Sequence, residues 1–382
     1  MAHYKFDQIA FNITDKKMPE PGDEKMYVGL EHLDSGSLKV TRWGSEVELK
    51  GQKLVMRKGD ILFGRRNTYL RRAAIAPHDG IFSAHGMIFR PKTDVIDPEY
   101  FPFFISSNYF MDAAIRISVG SLSPTVNWKT LKEIEFDIPT LEEQRKNAAL
   151  LSTINETKEA YQELLFQTDN LVKSQFIEMF GDPLSENCCY KKISILDACD
   201  NITGGGTPSK KHPEYYEGSI PWVSPKDMNT SIIEDSQDHI TEEAITKSTT
   251  KLIPEQSVLM VIRSGVLKHD LPIAINKVPV TINQDMKAFL VGSKIIPQYL
   301  FGYFKTIEAD VLRGVRAVTA DNIEFKVFQK RLIQIPPMDE QQKFAEFMIQ
   351  SDKSKFELKE AIQSCDALMK AILFTNLEEK ED

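Results

Sequence analysis

The stretches FDIPTLEEQRKNAALL (136–151) and IQIPPMDEQQKFAEFMIQSDK (333–353) are two copies of one element, and their reading decides the fold. A constant offset of 197 residues places Ile138-Pro139, Glu143-Gln144, Leu171 and Lys173 on Ile335-Pro336, Glu340-Gln341, Leu368 and Lys370. A register kept over roughly 35 residues is an internal repeat. Each copy opens a long helix. In the first, Thr140 and Glu143 fit a capping box, in which each side chain answers the other's backbone N–H. In the second, Pro337 stands where the threonine was, so the predicted cap is Asp339 with Gln342. Large and small residues then recur every three or four places at Leu150, Ile154, Thr157, Tyr161, Leu164, Thr168 and Leu171. The second stripe runs through Phe347, Ser351, Ser354, Leu358, Ala361, Cys365, Leu368 and Ile372.

Neither stripe can bury itself alone, and about 40 residues of helix span roughly 60 Å, a length suited to a spacer. The first helix hands the chain to residues 184–335, which return it to the start of the second. If 184–335 is one compact domain, the helices run antiparallel with a globular domain at each end. The predicted fold class is therefore α+β: two similar domains separated by two long antiparallel, coiled-coil-like helices, with an internal pseudo-two-fold repeat. The bounds are 1–138, 139–183, 184–335 and 336–382.

The globular segments are themselves distant copies. YVGLEHL (27–33) aligns with WVSPKDM (222–228), KGDIL (58–62) with EQSVL (255–259), and Pro98-Glu99-Tyr100 with Pro297-Gln298-Tyr299. Short apolar runs such as ILFG, AAIAP, GMIFRP, SVLMVI and KAFLV read as strands, and 98–117 and 297–313 as helices.

No apolar run reaches the roughly 18 residues of a membrane span, and MAHYKFDQIAFNITDKK has no signal-peptide core, so a cytoplasmic protein with no membrane partner is expected. The four cysteines, Cys188, Cys189, Cys199 and Cys365, lack C-x-x-C spacing and the seven histidines lack H-x-x-x-H, which argues against disulfides and a metal site. The net charge of −8 is unevenly spread: the helical stretches 142–182 and 339–382 hold −4 and −5, leaving +1 elsewhere. Within that remainder, residues 39–72 carry Lys39, Arg42, Lys50, Lys53, Arg57, Lys58, Arg65, Arg66, Arg71 and Arg72 against Glu46, Glu48 and Asp60. Such a stretch can track phosphates.

The variable stretches supply the candidate DNA contacts, side chains whose donors and acceptors suit phosphates and base edges. In the first copy they are Arg65, Arg66, Asn67, Arg71, Arg72 and His85, and the variable stretches there also hold Asn127-Trp128-Lys129. In the second they are Thr207, Ser209, Lys210, Lys211, Lys226, Arg263, Lys268, His269, Asn283, Gln284 and Lys287. Gly204-Gly205-Gly206-Thr207-Pro208 lacks the G-K-[ST] ending of a phosphate loop and reads as a flexible turn able to approach a DNA backbone. An [NDS]-P-P-[YF] methyltransferase loop and a Gly-rich S-adenosylmethionine site are both missing. The nuclease-like triplets Glu324-Phe325-Lys326 and Glu357-Leu358-Lys359 are of a kind common by chance, so no catalysis is expected.

Taken together, these residues resemble the specificity subunit of type I restriction-modification systems. GGGTPSKKHPEYYEGSIPWVSPKDM (204–228) is similar to the entry of that family's target-recognition domains, and RSGVLKHDLPIAINKVPVTINQDMKAF (263–289) to their later half. YVGLEHLDSGSL (27–38) and FGRRNTYLRRAAIAPHDGIFSAHGMIFRP (63–91) resemble a second common version. The paired I-P-x-[LM]-[DE]-E-Q starts and FIEMFGDP (176–183) complete the likeness.

The resemblance implies a non-catalytic reader of double-stranded DNA with two target-recognition domains. It implies docking of two modification (methyltransferase) subunits and, through them, restriction subunits. No cofactor is implied in this chain; S-adenosylmethionine, ATP and magnesium belong on the partners. The first domain lacks the GGGTP entry and begins with NITDKKMPEPGD (12–23), so a role for that loop does not carry across. A type IIB-like DNA-binding subunit shares this architecture, and a coiled-coil scaffold binding only proteins is the reading from another class.

Overall fold

The computed structural model describes residues 2–185, 190–317 and 321–378. It divides into two compact units, Met1–Tyr161 with Glu360–Asp382, and Gln162–Lys359.

In the first unit the main sheet is antiparallel, ordered Ala10–Ile13, Met87–Pro91, Ile61–Phe63, Ala73–Ile75. Side chains alternate across a strand, and here both faces are covered. Ile61, Phe63 and Phe89 enter one core with Phe6, Phe101 and Phe110, while Leu62, Ala74 and Ile88 enter another with Val28 and Phe82. A sheet buried on both sides needs continuous apolar runs instead of alternation, which is why ILF and MIF read as they do. A second sheet, Lys16–Lys17, Lys53–Met56, Gly80–Phe82, Tyr27–Val28, has its last pair parallel. Ala2–Lys5 pairs with Glu135–Ile138 to close the unit.

The second unit repeats this plan. Its main sheet runs Cys199–Gly204, Met286–Val291, Val258–Val261, Ile273–Asn276, extended by Ile232–Ile233. Val258, Met260 and Phe289 face one core, and Leu259, Val261 and Ala288 the other. Ile220–Val223 pairs parallel with Thr281–Ile282, and Lys192–Ser194 closes against Leu332–Gln334. The helix after Pro297 is unbroken over Pro297–Arg313. Its counterpart divides into Phe101–Ser106 and Asn108–Arg116. Ser107 is extended there and its Oγ accepts from Phe110 N at 3.2 Å, capping the second piece. Cys199 and Cys365 are buried free thiols, and burial pushes Cys199 up to about 12; Cys188 and Cys189 lie outside the described residues.

The long helices are Leu141–Phe180, 40 residues, and Met338–Glu378, 41 residues. Within the second unit Asp169 meets Lys355 at 2.7 Å and the Phe176 ring lies 5.4 Å from Phe344, so one numbering rises as the other falls and the helices are antiparallel. In the first unit Lys158 meets Asp366 at 2.7 Å, and Met369, Ile372 and Leu373 pack on the core that holds Ala148 and Leu151.

Two expectations are corrected here. On the first helix Leu150, Leu164 and Leu171 are 47–50% exposed, so the buried stripe is a neighbouring one, Gln144, Ala148, Leu151, Lys158, Val172 and Phe176. On the second Leu368 is 55% exposed, but Ser351 and Cys365 of the expected stripe are buried, together with Gln341, Phe344 and Met348. Glutamines and a lysine that hydrogen-bond or pair inward occupy core positions, and an apolar pattern cannot show that. The second correction is the cap. Thr140 and Glu143 do form the box, with Thr140 N donating to Glu143 Oε2 at 2.8 Å and Glu143 N to Thr140 Oγ1 at 3.4 Å. Asp339, however, sits inside the second helix, where Glu340 N and Gln341 N donate to Pro337 O at 3.2 Å each.

Candidate nucleic-acid interface

In the second unit Val261 pairs with Met286, so the chain leaving one strand meets the chain entering the next. Ile262 N and Arg263 N both donate to Asp285 O, at 2.8 and 3.2 Å. Gly204 pairs with Lys287, which brings the glycine stretch to the same sheet end. The glycines serve close packing: a Cβ on Gly205 would lie 1.9 Å from Ile282 O, and one on Gly206 2.8 Å from Thr250 N. Gly206 N donates to Ile282 O at 3.0 Å, and Trp222 Nε1 donates to Gly206 O at 3.0 Å. The expected flexible turn is thus a pinned one.

This packing gathers Thr207, whose hydroxyl donates to Gln284 Oε1, with Arg263, Gln284 and Lys287. Lys287 Nζ lies 4.9 Å from the Phe325 ring centroid, and Lys268 Nζ 3.8 Å from Asp321. Ser209, Lys210 and Lys211 follow Thr207 on the loop and are exposed. Three candidates stand differently. Asn283 is buried and its Oδ1 accepts from Asp285 N at 3.0 Å, so it shapes the turn that carries Gln284. Lys226 is held by Asp238 at 2.7 Å. His269 lines a groove of about 670 Å³ with Val172, Lys305 and Glu308.

The first unit uses the equivalent sheet end. Phe63 pairs with Met87 and with Ala73, so the loop 64–72 and the turn carrying exposed His85 start from neighbouring strand ends. The loop bends through a short turn, Thr68–Leu70, flanked by Asn67 and Arg71 in the left-handed region at φ +54° and +49°. Side chains other than glycine adopt it at a cost that surrounding contacts must offset. Asn67 N donates to Pro124 O at 2.8 Å, Ser123 Oγ donates to Asn67 Oδ1 at 3.0 Å, and Arg66 Nε donates to Ser123 Oγ at 2.7 Å. Arg71 Nη1 donates to Asn108 Oδ1 at 3.1 Å and its Nη2 pairs with Asp112. Arg65 is half-buried, and its carbonyl accepts from Val126 N at 2.9 Å.

Arg72 turns inward. Its Nη1 donates to Leu30 O at 2.9 Å, and burial lowers its pKa. The basic stretch 39–72 is also thinner at the surface than its composition implies: Lys53 is buried, Arg42 is bound by Asp34 at 2.8 and 3.0 Å, and Lys39 lies 3.6 Å from Glu159. Trp128 packs edge-on to Phe6 at 5.7 Å and against Phe89 at 6.0 Å, leaving Asn127 and Lys129 exposed.

A search for donors misses the residues that hold them: Asp285, Asp112, Asn108 and Ser123. The acidic member of Asn283-Gln284-Asp285 is the one local signal that points to this. Among the described residues, no group of three His, Cys, Asp or Glu could hold a metal ion, and no helix is long and apolar enough to cross a membrane.

Residues 12–165 and 190–364 match the family described as the type I restriction modification DNA specificity domain. The specificity subunit of the Escherichia coli type I restriction enzyme EcoR124I/EcoR124II is 42% identical over 152 residues, 39% of this chain and 38% of that one. That of Methanocaldococcus jannaschii MjaIX is 28% identical over 210 residues, 52% of this chain and 47% of that one. The chain thus spans less than half the length of these two relatives. Among solved structures, a chain from work on complex assembly and conformational transition of the type I R-M system superposes with a TM-score of 0.55 at 18% identity, over 99% of this chain and 97% of that one. The type I S subunit of M. genitalium superposes at 0.54 and 12%, over 98% and 95%. At such identities the likeness is one of fold.

Proposed function

Because this chain belongs to the type I restriction-modification DNA specificity family, we propose that it is the subunit that reads double-stranded DNA at a two-part, asymmetric target. It is a specificity subunit and not an enzyme. One observation carries the two-part reading: equivalent sheet ends in the two units present different side chains, Arg65, Arg66, Asn67, Arg71 and His85 in one, and Thr207, Lys210, Lys211, Arg263, Gln284 and Lys287 in the other. Different donors at equivalent places read different short sequences.

The partners are two modification subunits, with restriction subunits recruited through them. S-adenosylmethionine, ATP and magnesium act on those partners. In support, each long helix keeps apolar side chains outward, among them Leu164, Phe166 and Leu171 on one and Ile349, Phe356 and Leu368 on the other. Two similar outward surfaces suit two copies of one partner. Mass measurement of the chain mixed with modification subunit should give two partners per chain; saturation at one would overturn that stoichiometry.

The target is tested by genome-wide methylation mapping in strains with and without this chain, and again after residues 184–335 are exchanged for another such domain. The expected result is a two-part motif of which one half changes on exchange. A motif that changes in both halves, or that does not depend on the chain, would sink the reading.

A further inference from the structure

Arg263 differs in its surroundings from the lysines that follow Thr207. Lys210 and Lys211 stand exposed, whereas the Nε and Nη2 of Arg263 lie 2.6 and 2.5 Å from Asp285 Oδ1. Asp285 is itself fixed: its N–H donates to Asn283 Oδ1 at 3.0 Å, and its Oδ2 takes longer contacts of 3.4 Å from Asn283 Nδ2 and Gln284 Nε2. The two backbones are joined as well, by the bonds from Ile262 N and Arg263 N to Asp285 O. One edge of the guanidinium is therefore occupied and its plane is set. Its Nη1 has no partner among the described residues, and the side chain is half exposed.

Such a pair suits one kind of contact poorly and another well. Arginine and aspartate together carry no net charge, so the pair releases few counterions, and the carboxylate would be carried towards any phosphate that the guanidinium met. What the pair retains is a planar fork held in one orientation: Nη1 and the outer N–H of Nη2. Guanine offers two acceptors to that fork in the major groove, N7 and O6. Adenine replaces the second with an N6 donor, and thymine offers a single acceptor, O4.

We infer that Arg263 reads a guanine in the half-site taken by the second unit, and that Asp285 is its positioning residue. The inference rests on the DNA-reading function proposed above and adds to it the base and the group that fixes the contact. Without Asp285 the guanidinium gains a free charge and freedom to turn, so it should bind DNA more strongly and less selectively.

The test uses the full chain assembled with its modification subunits, on duplexes of the mapped target each altered at one base pair. Arg263→Ala should lower the preference for guanine at one position about 5- to 150-fold and leave the other positions as they were. Arg263→Lys, which keeps the charge without the fork, should do the same. Asp285→Asn should lose most of that same preference while affinity for every duplex rises and the salt slope steepens by about one. The double variant should return the slope to that of the parent.

Equal weakening of all duplexes by Arg263→Ala would make the contact a phosphate one and overturn the inference. Asp285→Asn with the guanine preference intact would overturn the positioning role. A parent complex that does not prefer its mapped target to an unrelated duplex would overturn the proposed function itself, and this inference with it.

Discussion

Gln341 is fully buried, and its amide makes three hydrogen bonds: Ile296 N donates to Oε1 at 3.0 Å, and Nε2 donates to Lys294 O at 3.1 Å and Pro336 O at 2.9 Å. It thereby ties the first turn of the second long helix to the segment that starts Pro297–Arg313. Replacing it with alanine leaves one N–H and two carbonyls without that partner and opens a void. At about 1 kcal/mol for each lost bond, more where the abandoned group stays dry, plus the cavity, the loss is roughly 3–5 kcal/mol. Gln341→Met keeps most of the volume, so it isolates the polar share, roughly 2–4 kcal/mol.

Hydrogen exchange read on peptides covering 294–300 and 334–344 of the full chain measures this within one unit. At about 1.4 kcal/mol per tenfold, Gln341→Met should speed exchange there by roughly 30- to 1,000-fold. Gln144→Met should act alike in the first unit, where Asp97 N donates to Gln144 Oε1 at 2.7 Å and Nε2 donates to Val95 O and Pro139 O at 3.0 and 2.8 Å. Exchange in Gln341→Met indistinguishable from the parent would refute the claim that these bonds hold the helix in place.

Thr140→Ala, which removes the box threonine, should cost the first long helix about 1 kcal/mol, whereas Asp339→Ala should cost less than about half of that because no cap is lost; urea midpoints compare the two. A hydrogen bond to Asp137 raises the pKa of exposed His3, so its contribution to the Ala2–Lys5 pairing is fully present below about 6.5 and fades as pH rises through the raised value. An NMR titration of His3 should show that upward shift, and Asp137→Asn should largely remove it. Burial alone would push Glu308 up, yet its bonds with Asp270 and Leu271 N, together with Lys305 and Lys173, hold it at about 2 against an ordinary 4.5. Its share of stability is present above about 4.5 and is lost as pH falls towards 2. Glu308→Gln should flatten that acid limb, and an unchanged pH–stability curve would show that Glu308 contributes nothing there.

The repeat was legible because the same contacts occur twice: the Glu-Gln pairs at one offset prove to be a cap or tyrosine partner followed by a buried tie, Glu143-Gln144 and Glu340-Gln341, with Tyr190 donating to Glu340 at 2.6 Å. The strands were legible because sheets covered on both faces leave unbroken apolar runs. The buried face of the first long helix was not, since Gln144 and Lys158 occupy it and hydropathy assigns them outward; on the second Ser351 and Cys365 were legible, whereas Gln341 was missed for the same reason. The parallel pairing of Tyr27–Val28 with Gly80–Phe82 had no local signal, because it joins segments far apart in the chain. Among the site residues, chemistry named the donors, but the roles of Arg72 and Asn283 were decided by neighbours, Leu30 O and Asp285 N, that no spacing in the sequence reveals.

The first unit is assembled from two separate pieces of chain, and that orders its birth on the ribosome. Residues 162–359 are consecutive and can collapse as they emerge. Met369, Ile372 and Leu373, which pack on the first unit's core, are made roughly 200 residues after the rest of that core is complete. At about 5–20 residues per second the gap is on the order of 10–40 s. For that interval the surface those side chains will cover waits open in the nascent protein, so the portion synthesised first is the last to be finished.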